Sequence, residues 1–573
     1  MQVTLSHSVA GAVALALTIG AADAQTIGPK VRIDGGSAVD PANETSMVSS
    51  EANPLEIIAS WNDYRLGSAK LGVGVSQDGG LTWTDQLLRP EPVFQSVTEG
   101  DPMTAADPRT GTMWVGAISF DDNGGIFVAR KDPGSATFNP VVMAVLSGTA
   151  DKGWMAAGPD PADPDLTRLY IAYNEGLLIS TDMGDTWSGP TFLESGLGFL
   201  PRVGPNGELY IAYWDFGLGQ RLLRSLDGGV TFDPSIVAAT RLDVWGADAS
   251  RVPGDARVVP IQSLAVDPND GDTLYYVYHD SEALLPNGFD VDVWLTKSTD
   301  GGTTWSTPAV VNTDAPLVPQ DEFFPWIEVD RTGRVHLLFY SGAAFSQDDT
   351  DSQGRFHAIY SFSDDGGTTW SESQLATSPL DTVTAFPNGL FIGDYLGMST
   401  AGGRTFPLYL DTDTGDSDIF TQEIVHDTGT TYCAGISCPC GNDGAGFNGE
   451  GCANTTGGGV RLSASGSTAS NNVVFHGDGF PAASSPAAVV IRSANLQNAG
   501  QGTAFGDGLL CVQAPVVRMG TAFAAAGSVS IPIGHGAGTG TFHYQMWYRS
   551  TPAAFCDPLA AFNLSNGMSL VWP

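Results

Sequence analysis

The sequence predicts an all-β chain in which a seven-bladed β-propeller, residues 25–430, is followed by a small disulfide-bonded β-sandwich, residues 431–573. Three observations predict it. The pattern Ser-x-Asp-x-Gly-x-Thr-aromatic returns five times, as a repeat architecture requires. Alternating apolar runs such as Leu71-Gly72-Val73-Gly74-Val75 and Val291-Asp292-Val293-Trp294-Leu295 lead into the copies and read as strands. No amphipathic segment of period 3.6 follows residue 24, while 71 glycines and 35 prolines punctuate many short strands.

Residues 1–24 read as a secretory signal. The apolar run of residues 9–20 is too short to span a bilayer, and Ala22-Asp23-Ala24 is a small-x-small cleavage site before Gln25. The region ahead of that run carries no Lys or Arg, only His7. Six cysteines in one late segment support export, and no other segment reads as membrane-spanning. The formal net charge of −38, from 63 acidic and 25 basic residues, argues against nucleic acid and anionic membranes as partners, since both need clustered cations. The protein is expected to be secreted and monomeric.

Each repeat is a hairpin turn. Ser76-Gln77-Asp78-Gly79-Gly80-Leu81-Thr82-Trp83 is the first copy, and the others centre on Asp182, Asp227, Asp300 and Asp365. The Asp suits bonding of nearby backbone N–H groups, the Gly permits positive φ, and the aromatic begins the next strand facing inward. The interval from Asp78 to Asp182 is twice the usual spacing, and the degenerate copy from Arg130 to Phe138 fills it. A seventh module around Asp394-Tyr395 has three strands, and Pro29-Lys30-Val31-Arg32-Ile33-Asp34 is expected to supply the fourth and close the ring. Ser399-Thr400-Ala401-Gly402-Gly403-Arg404-Thr405-Phe406 mimics the repeat without its Asp, but falls where the turn between first and second strands belongs.

The five turns resemble the Asp-box repeat of sialidases and related propellers. That resemblance implies a six-bladed alternative, a Tyr nucleophile paired with Glu, an Asp acid, and three arginines that hold a substrate carboxylate. Val31-Arg32-Ile33-Asp34 keeps only Arg-Ile of the motif that carries the first arginine, and the other two have no counterpart. The resemblance therefore carries the fold across roughly 400 residues but does not carry the active site.

In a propeller the innermost strands begin, and the second strands end, on the face opposite the repeat turns, so chemistry is expected there. The starts of the innermost strands supply Glu44, Asp101, Asp151, Lys152, Arg202, Gln262, Asp321, Glu322, Asp394 and Tyr395. Asp101, Glu322 and Asp394 are the acid/base candidates and Tyr395 a candidate nucleophile, because crowded carboxylates shift one another's pKa. Lys152 and Arg202 are expected to bind substrate anions. The ends of the second strands add carboxylates and rings: Asp63 and Asp215 for hydroxyls, and Trp61 and Trp214 for stacking on a sugar face, joined by Trp326. His279 beside Tyr278 would serve a polysaccharide lyase as base.

Calcium is the one cofactor considered. Asp349-x-Asp351-x-Gln353-Gly354 mimics the first half of an EF-hand loop, with Tyr360 where Glu belongs, and Asp411 and Asp413 sit in a similar oxygen-rich turn. From Cys433 the composition changes. Cys433, Cys438, Cys440, Cys452, Cys511 and Cys556 lack zinc-type spacing and are expected to form three disulfides, of unspecified pairing, in a domain that resembles C-terminal modules of exported environmental bacterial proteins. The function expected is that of a secreted glycoside hydrolase, sialidase-like, acting on a complex or acidic glycan. The alternatives are a non-catalytic glycan-binding propeller and the lyase.

Overall fold

The computed structural model describes residues 25–572, except 37–39, 89–97, 121–123, 217–218, 241–249, 254–255, 286–287, 314–319, 332, 343–353, 387–390, 427–428, 444–449, 466–472, 482–484, 526, 534–538 and 550–561. The signal of residues 1–24 and the Asp349 and Asp351 loop fall outside the described residues. Two compact units are present: Gln25–Asp427 with Asp443–Glu450, and Thr428–Asn442 with Gly451–Pro573.

The first unit is a seven-bladed propeller. Its blades are antiparallel sheets whose innermost strands are Ala42–Ser49, Glu99–Ala106, Trp154–Asp160, Leu197–Val203, Ser263–Asp267, Glu322–Val329 and Gly397–Ala401. Each innermost strand lies against the next, and Gly397–Ala401 lies against Ala42–Ser49, so the ring closes. Most blades have four strands in meander order, as in Ala42–Ser49, Ile57–Asp63, Lys70–Ser76 and Thr84–Leu87. Blade three has three among the described residues. In blade seven Val31–Arg32 pairs with Asp418–Thr421 and completes the sheet from the other end of the chain. Thr26–Ile27 adds a second N-terminal strand, on Ile424–Val425.

The repeat turns join third to fourth strands, and their hydrogen bonds explain their composition. The Asp227 carboxylate accepts from the Thr231 backbone N–H at 2.9 Å, the Thr231 hydroxyl at 2.6 Å and the Ser225 hydroxyl at 2.8 Å. Ser225 Oγ accepts in turn from Gly229 N at 2.8 Å. The same net recurs around Asp78, Asp182, Asp300 and Asp365. Gly228 and Gly229 both take positive φ, 76° and 84°, which side chains resist. Between the blades, buried Val, Leu, Ile and aromatic side chains form the core, with Trp61, Trp114, Tyr173, Tyr276 and Tyr360 among the largest.

The second unit is a β-sandwich. A five-stranded sheet, in the order Gly429–Tyr432, Phe562–Trp572, Gly540–Arg549, Ala487–Ser493, Val517–Phe523, packs with the three-stranded sheet of Arg461–Ser465, Val474–Asp478 and Ser528–Pro532. Val460, Leu462, Phe475, Val490, Tyr544, Met546 and Met568 fill the space between them. Disulfides join Cys433 to Cys511 and Cys438 to Cys452. Cys440 is also disulfide-bonded, and Cys556 lies outside the described residues.

Candidate active site

Three innermost strands come into the ring with a left-handed residue at or just ahead of their start, two of them at a bulge. The first blade's strand is bulged between Asn43 and Ser46, and the second blade's between Gly100 and Met103. The first bulged residue is left-handed in each, Glu44 at φ 50° and Asp101 at φ 50°. Lys152, just ahead of the third blade's strand, takes φ 48°. A bulge re-aims the side chain it carries, and left-handed backbone costs a non-glycine residue about 1–2 kcal/mol. Here the re-aimed side chains meet. Lys152 Nζ lies 3.2 Å from Glu44 Oε1, 3.4 Å from Asp101 Oδ1 and 2.6 Å from Asp394 Oδ2. Asp101 also accepts from Lys152 N at 2.8 Å, which ties the second blade's strand to the start of the third.

Arg257 adds a second cation. It stands on the hairpin Ser250–Val252 and Ala256–Val258, inserted between blades four and five, and its Nη2 holds both Asp394 oxygens at 2.7 and 2.8 Å. Its guanidinium lies 4.6 Å over the Phe391 ring and its side chain is 37% exposed. These groups border a cavity of about 430 Å³ walled also by Tyr64, Phe120, Trp214 and Phe216.

The charges set the protonation pattern. Burial pushes the Glu44 carboxyl up to about 8 against the pull of Lys152, with Asp101 and Asp394 adding to the rise. Asn62 Nδ2 donates to Glu44 Oε2 at 2.6 Å. Desolvation, then the Asp101 charge, raises Asp151 to about 6. Burial would lower Lys152, but Asp101, Asp394 and Glu44 outweigh it and hold the ammonium well above the ordinary lysine value. Burial, then Glu44, lifts the Tyr64 hydroxyl to about 12.

Of the residues singled out in the sequence, Glu44, Asp101, Asp151, Lys152, Asp394 and Trp214 converge on this cavity. The others are placed elsewhere or sealed. Tyr395 is buried behind Lys152, its ring 5.0 Å from the ammonium and 5.0 Å from Trp154, and burial followed by Glu44 and Asp101 holds its hydroxyl far above the ordinary value. A phenol so held is a poor nucleophile. Glu322 is fully buried in blade six and accepts from Ser341 Oγ at 2.6 Å. Arg202 donates to Leu264 O and to Glu328 and covers the Trp326 ring at 5.2 Å, while the Trp326 indole donates to Glu328 at 3.0 Å, so both are committed to packing. Trp61 is fully buried with its N–H on Asp63, and Asp63 is held by Arg65. Asp215 faces Arg221 at 3.7 Å. His279 is buried beside a separate small void that Trp214 and Asp280 also line. Asp411 and Asp413 both bind the Lys30 ammonium, which stands where a calcium ion was expected. Among the described residues no group of three or more His, Cys, Asp or Glu side chains is placed to hold a metal ion.

No family model matches this chain. No curated protein matches it. Solved structures do show similarity. The BP39L lectin from Burkholderia pseudomallei is 12% identical, with 68% of this chain and 97% of the lectin covered and a TM-score of 0.42. The intramolecular trans-sialidase from Ruminococcus gnavus is 14% identical over 69% of this chain and 97% of its own, with a TM-score of 0.37. An α-L-arabinanase from Penicillium chrysogenum is 12% identical over 70% and 99%, with a TM-score of 0.38.

Proposed function

We propose that this is a secreted carbohydrate-active propeller that hydrolyses a glycosidic bond of a complex or acidic glycan in the Glu44 cavity. The observation that carries the reading is the carboxylate ring: Glu44, Asp101 and Asp394 share one buried ammonium at the edge of an aromatic-walled cavity. The oxygens of Glu44, Asp101 and Asp394 that share Lys152 lie at most about 6.6 Å apart, a bound that leaves room for the spacing of about 5–5.5 Å used by retaining glycosidases. A carboxyl pushed up to about 8 keeps its proton at neutral pH, as a general acid must.

In this reading Glu44 gives its proton to the glycosidic oxygen as the bond to the anomeric carbon breaks. Asp101, across the ring, stabilises the positive charge that develops on the sugar and draws a proton from the incoming water. Lys152 positions both carboxylates. Arg257 is the most exposed cation of the ring and the group best placed to meet a substrate carboxylate. Trp214, Phe216 and Phe120 offer ring faces to pyranose C–H surfaces. The disulfides fit an oxidising compartment, and with the signal-like residues 1–24 they support export.

The test is turnover by the disulfide-intact protein on sialosides, neutral glycosides and uronic-acid polysaccharides, with Glu44→Gln and Asp101→Asn alongside. Loss of about 10²–10⁴-fold in kcat in both variants is expected. Turnover that survives both substitutions refutes the assignment. Glycan binding without turnover by the wild type would establish instead a binding propeller.

A further inference from the structure

The C-terminal sandwich contains a second cavity, remote in sequence from the carboxylate ring and opposite to it in charge. It measures about 330 Å³ and is lined by Ala487, Val489, Arg518, Trp547, Tyr548, Arg549 and Phe562. The sheet register builds it. Val489 pairs with Trp547 across Ala487–Ser493 and Gly540–Arg549, and Arg549 pairs with Phe562 across the next ladder. Alternation puts Tyr548 on the core side, fully buried, while Arg549 is exposed. Phe505 joins from the hairpin Thr503–Phe505 and Gly508–Leu510, with its ring 4.8 Å from Phe562 and 6.3 Å from Trp547.

Charge is what distinguishes this place. The chain has a net charge of −38, and residues 431–573 contain no lysine and only the arginines 461, 492, 518 and 549. Two of those four line this one cavity. Neither Arg518 nor Arg549 takes part in an ion pair among the described residues. Arg518 lies 5.6 Å over the Trp547 ring. The Trp547 indole N–H is shut off from solvent and has no acceptor among the described residues. Guanidinium and indole groups can only donate, so the polar side chains at the cavity are donors; the Tyr548 hydroxyl, on the core side, accepts from Asn454. The remaining side chains that line it among the described residues are aromatic or aliphatic. The complementary ligand is one with an apolar face and an anionic, acceptor-rich edge.

We infer that this cavity binds an acidic sugar unit, a pyranose carrying a carboxylate or a sulfate ester, with the anion between Arg518 and Arg549 and the ring face on Trp547 or Phe562. Guanidinium forks match planar or tetrahedral oxyanions, and the cavity is within the usual range for small-ligand sites. The large negative charge of the whole chain does not prevent this, because at 0.15 M salt charges more than about 8 Å apart are largely screened and the local pair of arginines decides. The inference does not depend on turnover in the propeller. It gives the second unit the role of holding the protein on an acidic polysaccharide.

The test uses the full-length, disulfide-intact protein and measures affinity at 0.15 M salt for polygalacturonate, a sulfated dextran and neutral dextran. Binding to at least one of the acidic polymers and none to neutral dextran is expected. Arg518→Gln/Arg549→Gln should weaken it at least tenfold, and Trp547→Phe, which keeps a ring and removes the N–H, at least threefold. Arg461→Gln removes the same charge elsewhere in the unit and should leave binding unchanged. If the double variant fails to fold, Trp547→Phe decides alone. Equal losses in Arg461→Gln and in Arg518→Gln/Arg549→Gln would mean unspecific charge attraction and overturn the inference. So would a loss confined to Arg257→Gln, which would place acidic-polymer binding in the propeller. Binding only to phosphatidylglycerol vesicles, or to no acidic polymer, overturns it as well.

Discussion

Replacing Glu44 by Gln is expected to cut turnover by about 10²–10⁴-fold and yet to stabilise the protein at alkaline pH. Glu44 is buried at the edge of the cavity, and its carboxyl moves from an ordinary value of 4.5 to about 8 on folding. Between those values the folded chain holds a proton that the unfolded chain has released, so stability falls as pH rises through this window. Below pH 4.5 both states are protonated and the cost is absent, whereas above pH 8 it is present in full. At about 1.4 kcal/mol per pKa unit the ceiling is about 5 kcal/mol. Glutamine keeps the shape of the protonated acid but carries no charge to bury, and it can still accept from Asn62 or Lys152. The Lys152 and Asp394 neighbours share part of the effect, so a gain of about 2–4 kcal/mol at pH 9 is expected, and none at pH 4.5. The assay is urea unfolding of the full disulfide-intact chain at pH 4.5, 7 and 9, followed by near-ultraviolet circular dichroism. Two unfolding midpoints that move together across the whole range would refute the reasoning, because Glu44 would then be ionised in the folded protein and unfit as a general acid.

Two further outcomes follow from the same linkage between structure and stability. Asp227 is held down to about 2, chiefly by the Thr231 hydroxyl and backbone N–H, so its contribution is present above the ordinary carboxylate value and is lost as pH falls toward 2; Asp227→Asn should cost about 1 kcal/mol at pH 7 and flatten the acid limb of an unfolding-versus-pH curve. The Cys433–Cys511 bridge spans 78 residues, so Cys433→Ser/Cys511→Ser should cost the C-terminal unit about 4 kcal/mol, seen as faster cleavage of that unit in limited proteolysis.

Much of the fold was legible because it is local. A Ser, an Asp, a Gly and a Thr at fixed offsets specify one turn whatever surrounds them, so five turns and their flanking strands could be read directly. The partner of blade seven was legible for a different reason: a module with three strands leaves an edge, and Val31–Arg32 was the segment left to cover it. The site was legible only to the level of where each strand begins. Glu44, Asp101, Lys152 and Asp394 meet, but Glu322 stands two residues ahead of its blade's left-handed position, which Phe324 holds, and turns to Ser341. Alternation along a strand gives a face and not a depth, which is why Trp61 read as a sugar platform and is instead fully buried. Arg257 and Phe391 could not be read at all. They lie in segments between blades that carry no repeat, and only the unusual length from Asp227 to Asp300 signalled an insertion there.

The bulge itself argues for where the function lies. Leu197–Val203 carries it as well, with Gly198 at φ 70°, and Glu322–Val329 carries it with Phe324 at φ 55°. Beside Asp394, Gly393 takes φ 94°, and a Cβ there would meet the Glu44 backbone nitrogen at 2.9 Å, so that position can hold nothing larger. The ring therefore needs left-handed backbone where several of its strands begin, and glycine supplies it without strain. Where Glu44, Asp101 and Lys152 stand instead, each costs the fold about 1–2 kcal/mol that a glycine would not. Folding alone gives no reason to keep three charged residues in that conformation and then to bury them together. Phe324 is the informative contrast: it takes the same conformation, packs its ring against Phe323 and touches none of the cavity. Strain at a strand start can thus be offset by packing, as at Phe324, but at the three charged positions it is offset by the charge cluster and its hydrogen bonds, and that cluster borders the cavity.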